Sequence, residues 1–236
     1  MCVTFSQFAR KAGLVMPLVG KRAVALAFGL GVFGLASVAH ATLILDISVN
    51  GGAPIVVQDN GPGDSNPATS AITYNSPITG LGFASITATT NDPGNQTSGF
   101  IAGNEVLFTN TGTSPITVAI TPSDTGFTSP TGARSLESDL SASFLAPGAG
   151  DFVSLVSTAN VTSTITQTLT ATGASSVTIP FAAAGVYSLQ SVVTARLSPG
   201  ASEVITSTTS VIVPEPTSIG LLVLGALVLL ARRRLI

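Results

Sequence analysis

The chain carries little charge and few of the residue types on which side-chain chemistry depends. Of its 236 residues 8% are charged, and it holds one cysteine, one histidine, two methionines and no tryptophan. Their placement matters more than their number. Met1, Cys2, Lys11, Met16, Lys21 and His40 all precede residue 42, so the stretch 42–213 has no Cys, His, Met, Lys or Trp. Such a body cannot run thiol chemistry, a Ser-His or Cys-His couple, or a lysine Schiff base. Nor can it build a disulfide framework or a His/Cys zinc site. Positive charge is scarce as well. Arg134 and Arg196 stand against Asp46, Asp59, Asp64, Asp92, Glu105, Asp124, Glu137, Asp139, Asp151 and Glu203, a net charge of −8, while the whole chain is at −2. Phosphate backbones are bound by clustered Lys and Arg, so a nucleic-acid partner is excluded.

The missing lysines and arginines sit at the two ends. Arg10, Lys11, Lys21 and Arg22 precede an uncharged apolar run, residues 23–38, which stops at Ala39-His40-Ala41. A basic front, an apolar helix and a small-x-small site predict a signal peptide over 1–41, cut after Ala41 with Ala39 and Ala41 in the narrow peptidase pocket. The other reading is a retained N-terminal membrane helix. Translation from Met16 in place of Met1 would give a leader of more usual length.

At the other end come Val213-Pro214-Glu215-Pro216, fifteen uncharged residues from Thr217 to Ala231, and Arg232-Arg233-Arg234. A fifteen-residue helix rises ~22 Å, short of the ~30 Å hydrocarbon core, and spans with snorkelling arginines or local thinning. The arginine cluster holds the extreme C-terminus in the cytoplasm and so places 42–213 outside. Pro214 and Pro216 keep the entry extended. A plain short membrane anchor reads the same residues differently. The Pro-Glu-Pro motif, the short span and the terminal arginines together resemble the PEP-CTERM sorting signal of exported bacterial proteins. That resemblance implies recognition and tail removal by an exosortase, a membrane-embedded thiol transpeptidase-like enzyme. It also implies a Gram-negative host that makes extracellular polysaccharide. It covers residues 213–236 and says nothing of the body.

The body is rich in Ser and Thr, and its apolar residues alternate with period two, as in strands. Leu43, Leu45, Ile47 and Val49 form one such row, Ile116, Val118 and Ile120 a second, and Tyr187, Leu189, Val193, Ala195 and Leu197 a third. A run from Thr162 to Thr172 puts threonines on one face and Val161, Ile165 and Leu169 on the other. Turn residues separate the runs, as at Asn50-Gly51-Gly52, Asn91-Asp92-Pro93-Gly94-Asn95 and Ser198-Pro199-Gly200. Only Leu136, Leu140 and Phe144 fit a short helix, and the same segment fits a strand with Leu140, Ala142 and Phe144 inward. The pattern predicts an all-β antiparallel sandwich, immunoglobulin-like in at least the C-terminal half, either one body or two modules dividing near 123–134. In that half Gly185-Val186-Tyr187 resembles a corner where a tyrosine hydroxyl closes onto nearby backbone, though a plain core tyrosine fits equally.

Candidate chemistry in the body is thin. Asp59-Asn60-Gly61-Pro62-Gly63-Asp64 gathers oxygen ligands suited to calcium, with Asp59 and Asp64 as the candidates. The spacing matches no standard calcium loop, and a solvated turn accounts for it as well. Glu137 and Asp139 would share a face on a strand, but sugar hydrolysis needs a cleft usually lined with aromatics, and this body has two tyrosines and no tryptophan. The sequence therefore predicts no enzyme and no cofactor. It describes an exported surface or matrix protein of structural or adhesive role in a polysaccharide biofilm, held transiently in the membrane by its tail. The alternative is a calcium-assisted carbohydrate- or protein-binding module.

Overall fold

The computed structural model describes residues 43–82, 85–182 and 185–214. These contain twelve strands and no helix: β1 (Ile44–Val49), β2 (Ile55–Gln58), β3 (Ala71–Tyr74), β4 (Ser85–Thr90), β5 (Ser98–Thr109), β6 (Ile116–Phe127), β7 (Arg134–Leu145), β8 (Phe152–Ala159), β9 (Ser163–Leu169), β10 (Gly173–Phe181), β11 (Tyr187–Leu197) and β12 (Ser202–Ile212). They form two six-stranded antiparallel sheets, ordered β2-β1-β6-β11-β8-β9 and β10-β7-β12-β5-β4-β3. The segment that fitted both a helix and a strand is β7. Its Leu136, Leu140, Ala142 and Phe144 are buried while Glu137, Asp139 and Ser141 face outward.

The strand order corrects the immunoglobulin expectation. An immunoglobulin sandwich pairs several consecutive strands as hairpins within a sheet. From β5 to β12 every connection here passes from one sheet to the other, except the β8–β9 hairpin. The halves β6-β11-β8-β9 and β5-β12-β7-β10 make a jelly roll of two interlocked Greek keys, and β1–β4 widen both sheets at one margin. The C-terminal half cannot stand as a module, because β12 is paired to β5 and β11 to β6. Both sheets take strands from either side of 123–134, and β6 runs through Phe127.

Two finer expectations also change. Tyr187 donates its hydroxyl to the carbonyl of Ser129 at 2.5 Å, 58 residues away in sequence, so it ties a distant loop and not a local corner. Of the long threonine run only residues 163–169 form a strand, β9, and Thr170 and Thr172 fall in the connection to β10. Val161 is not in an apolar row. It sits 89% exposed in the β8–β9 turn, where Asn160 and Val161 both have positive φ (51° and 53°). They are the central pair of a β-turn closed by the Thr162 N–H on the Ala159 carbonyl (3.3 Å), and positive φ at both is the primed geometry that matches strand twist.

The interior is layered along the strands. A large cluster holds Leu45, Ile47, Ile86, Phe108, Ile120, Leu140, Leu155, Val193 and Ile205. A smaller one holds Ile101, Phe127, Leu136, Ile165, Phe181, Tyr187, Leu189 and Val211. Between them five strands place polar side chains inward: Ser138 on β7, Ser157 on β8, Gln167 on β9, Ser191 on β11, and Ser207 and Thr209 on β12, all buried. Buried hydroxyls are costly unless paired. Ser157 Oγ therefore bridges Ser138 Oγ (2.7 Å) and Thr209 Oγ1 (2.6 Å), and Gln167 Nε2 donates to Ser138 Oγ (2.7 Å) and to its carbonyl (2.8 Å).

Candidate functional site

The outer face of the second sheet is where the structure gathers polar side chains around a hollow. Alternation sends the apolar residues of β7 and β12 inward, which turns Glu137, Asp139 and Ser141 outward with Thr206, Thr208 and Ser210. Register then aligns them in cross-strand rows. Asp139 lies between Ser176 of β10 and Thr208 of β12, and Ser141 between Ala174 and Thr206. Ser210 Oγ donates to Glu137 Oε2 at 3.5 Å. The result is a shallow groove of about 310 Å³ lined by Asp139, Ser141, Ser175, Ser176, Thr206 and Thr208 among others. Hydroxyls can donate and accept, while an ionised carboxylate only accepts. This groove is therefore equipped to hydrogen-bond a neutral polyhydroxylated chain. Glu137 and Asp139 do share a face, as a strand requires.

The calcium candidates are engaged elsewhere. Asp64 Oδ1 accepts the N–H groups of Asn66 (2.8 Å) and Thr73 (2.9 Å), and its Oδ2 accepts that of Asn60 (3.0 Å). Asp59 Oδ2 accepts the N–H of Ser70 (2.8 Å), and its Oδ1 accepts Asn60 Nδ2 (3.0 Å). Each carboxylate oxygen of the pair accepts a hydrogen bond, two of them within the loop and two from the amides of Ser70, just before β3, and Thr73, within it. Among the described residues no three His, Cys, Asp or Glu side chains are grouped to hold a metal.

The ionisable groups with shifted behaviour are buried. Glu203 is 1% exposed, neither carboxylate oxygen has a partner, and burial, with the charge of Asp151 second, pushes its pKa up to about 8. Asp124 rises to about 6, mainly through burial, against the lowering effect of the Thr90 hydroxyl and the Thr125 amide. Asp151 keeps structural partners. Its Oδ1 accepts Ser198 N and Oγ (both 2.7 Å), and its Oδ2 accepts Gly148 N (2.7 Å). In the sequence these acids enter only the net charge. The signal for Glu203 was available, since it shares parity with Ile205 and Val211 on β12.

The sandwich ends where the C-terminal motif starts. β12 closes at Ile212, the Val213 N–H donates to the Thr97 carbonyl (3.0 Å), and Pro214 is exposed with no N–H to extend the ladder. Glu215, Pro216, Arg232, Arg233 and Arg234 lie outside the described residues, as do Ala39 and Ala41 at the expected signal-peptidase site and both expected terminal helices.

Over the described residues the chain is an all-β, two-sheet sandwich. A search of solved structures finds a likeness to TmCBM61 in complex with β-1,4-galactotriose, at 10% identity and a TM-score of 0.30, covering 53% of this chain and 86% of that one. At that level the likeness fixes neither ligand nor strand-by-strand correspondence. No curated protein matches the sequence. The tail is specific: residues 213–234 match the family model described as the PEP-CTERM protein-sorting motif. That motif implies export, transient anchoring in the membrane and processing by an exosortase, ahead of a cell-surface or extracellular location.

Proposed function

We propose that this chain is a non-enzymatic surface or matrix protein of a polysaccharide-producing Gram-negative bacterium, delivered by its tail and working through its hydroxyl-covered sandwich. The observation that carries this reading is the match at 213–234, which begins at the residue after β12 ends. The leader directs export and is cut after Ala41. The tail holds the protein in the membrane until the exosortase removes it. Thr164, Thr166 and Thr168 on β9 and Thr206 on β12 are exposed and suited to hydrated polysaccharide. No cofactor enters this reading, and the internal bonding of Asp59 and Asp64 supports leaving calcium out of it. Mass spectrometry of the protein recovered outside the cell tests it: a chain starting at Thr42 and lacking the arginine cluster is expected. An intact chain in the cytosol would overturn it.

The groove between β10, β7 and β12 favours a second reading, a carbohydrate-binding module that docks one glycan strand. Glycan-array binding lost in Asp139→Ala would support it, and an array with no signal would remove it.

A further inference from the structure

The two margins of the sandwich differ. At one, β2 and β3 have four residues each, and β3 is covered: Thr73 N–H goes to Asp64 Oδ1, and the Thr73 carbonyl accepts Ser65 N and Oγ, each 2.9 Å. At the other, β9 and β10 lie side by side and each is the last strand of its sheet. β10 runs for nine residues, Gly173–Phe181, six of them exposed. Natural sheets guard such edges with charge, bulges or covering loops. This one carries no charge, and from Phe152 to Ala195 no residue is charged, in a body of net charge −8.

Proline fixes which groups are free. Pro180 stands opposite Ser135 of β7 and has no N–H, so its nitrogen faces away from β7. Antiparallel pairing alternates, so the N–H and C=O groups of Ala174, Ser176 and Thr178 face outward with it. We propose that β10 is a self-association edge, through which two copies of this chain join antiparallel about a twofold axis at Ser176. Ser176 then pairs with the partner's Ser176, and Ala174 with the partner's Thr178, each pair exchanging two hydrogen bonds. Pro180 ends the ladder. The same strand supplies both halves, as an isologous interface requires. Val177, 38% exposed, is covered against the partner's Ser175. A second copy fits this edge because it is the one long margin where two acidic bodies meet without a carboxylate between them.

The test is the mass of the full chain in density-matched detergent, with Ser176→Pro as the variant. That change removes an outward donor and leaves the β7 ladder intact, as Pro180 already does. The native chain is expected to sediment as a dimer and Ser176→Pro as a monomer with an unchanged circular dichroism spectrum. Thr178→Lys, which keeps the backbone donor and adds charge to the edge, is the second variant should the proline disturb folding, and it is likewise expected to be monomeric. Hydrogen exchange at Ala174 and Thr178 should be at least about 100-fold slower in the native chain than in either monomeric variant. A native chain that stays monomeric to about 100 μM overturns the proposal, as does a dimer that survives both substitutions or equal exchange at those amides.

Discussion

The large interior cluster is mostly aliphatic and encloses an acid, whereas the small one is built around three aromatics and encloses an arginine. At the aromatic end Phe127 stacks on Tyr187 with centroids 5.3 Å apart, and Phe181 meets Tyr187 edge-on at 5.6 Å. The Arg134 guanidinium lies 5.5 Å from the centroids of both Phe181 and Tyr187, and its Nη1 donates to the Pro130 carbonyl (2.9 Å). At the aliphatic end Glu203 stands opposite Phe108 and Phe144 with no group to accept from. A buried cation is tolerated where ring faces and a carbonyl replace water. A buried carboxyl without donors is tolerated by keeping its proton. The contrast lies in local partners and not in depth, since both residues are under 10% exposed.

Crowding the aromatic end should have the largest effect. A Cβ added at Gly99 would fall on the Tyr187 hydroxyl and against the Phe127 ring and the Ser129 carbonyl, so there is no room for one. Tyr187 cannot swing aside, because it is stacked on one ring, edged by another and bonded to Ser129. Gly99→Ala is expected to cost about 3 kcal/mol in denaturant unfolding, as overpacking of a filled core does. An unchanged midpoint would mean that this end is loosely packed.

At the aliphatic end the effect should depend on pH and have the opposite sign. Glu203 has a folded pKa of about 8 against an ordinary value of 4.5, so the folded state holds the proton more tightly. Stability from this group is full below about 4.5, declines as pH rises toward 8, and is flat above it. Glu203→Gln removes that decline and should stabilise the protein by on the order of 3 kcal/mol at pH 7, with little change at pH 4. Melting temperatures across pH 4–9 check it. Parallel curves for the two proteins would show that Glu203 is solvated.

The seam that separates the two ends should respond less. Ser157→Ala takes a shared partner from Ser138 and Thr209 at once. Ser138 keeps Gln167 and Thr209 is left stranded, so the expected loss is about 1–2 kcal/mol, the usual consequence of stranding a buried hydroxyl. Ser191→Ala offers a control in the same layer. Its Oγ has no partner, so its removal should cost less.

Much of this architecture was legible in the residues. Period-two rows such as Leu43-Leu45-Ile47 and Ile116-Val118-Ile120 named the strands and their buried faces, because alternation records burial directly. The sorting tail was equally plain, since its motif is contiguous. Strand order was not legible. Whether β12 lies beside β5 or β11 beside β6 is set by pairings about 60–114 residues apart, for which alternation has no register. The inward polar seam was obscured for a related reason: Ser138, Ser157 and Ser191 interrupt apolar rows, and a serine in a Ser-rich chain looks like surface. The outward groove was half legible. Glu137 and Asp139 had the right spacing, but Ser176 and Thr208 reach Asp139 only through the sheet.

The smallest expected effect lies at the aromatic end, in the β8–β9 turn. Asn160 is suited to its place: its side chain accepts the Ser188 N–H at 2.8 Å, and its own N–H reaches the Ser188 carbonyl at 3.1 Å. Val161 is not, because a β-branched residue at φ 53° sets its Cβ against its own carbonyl, and at 89% exposure packing returns little. Glycine adopts that conformation freely, although it also gives the unfolded chain more freedom. Relief of strain should outweigh that entropy, so Val161→Gly is expected to raise stability by about 1 kcal/mol. A gain here, set beside the loss from Gly99→Ala at the same end, would show that this end is filled in its core yet strained at its rim. A loss would mean that the freedom glycine adds to the unfolded chain outweighs the strain it relieves.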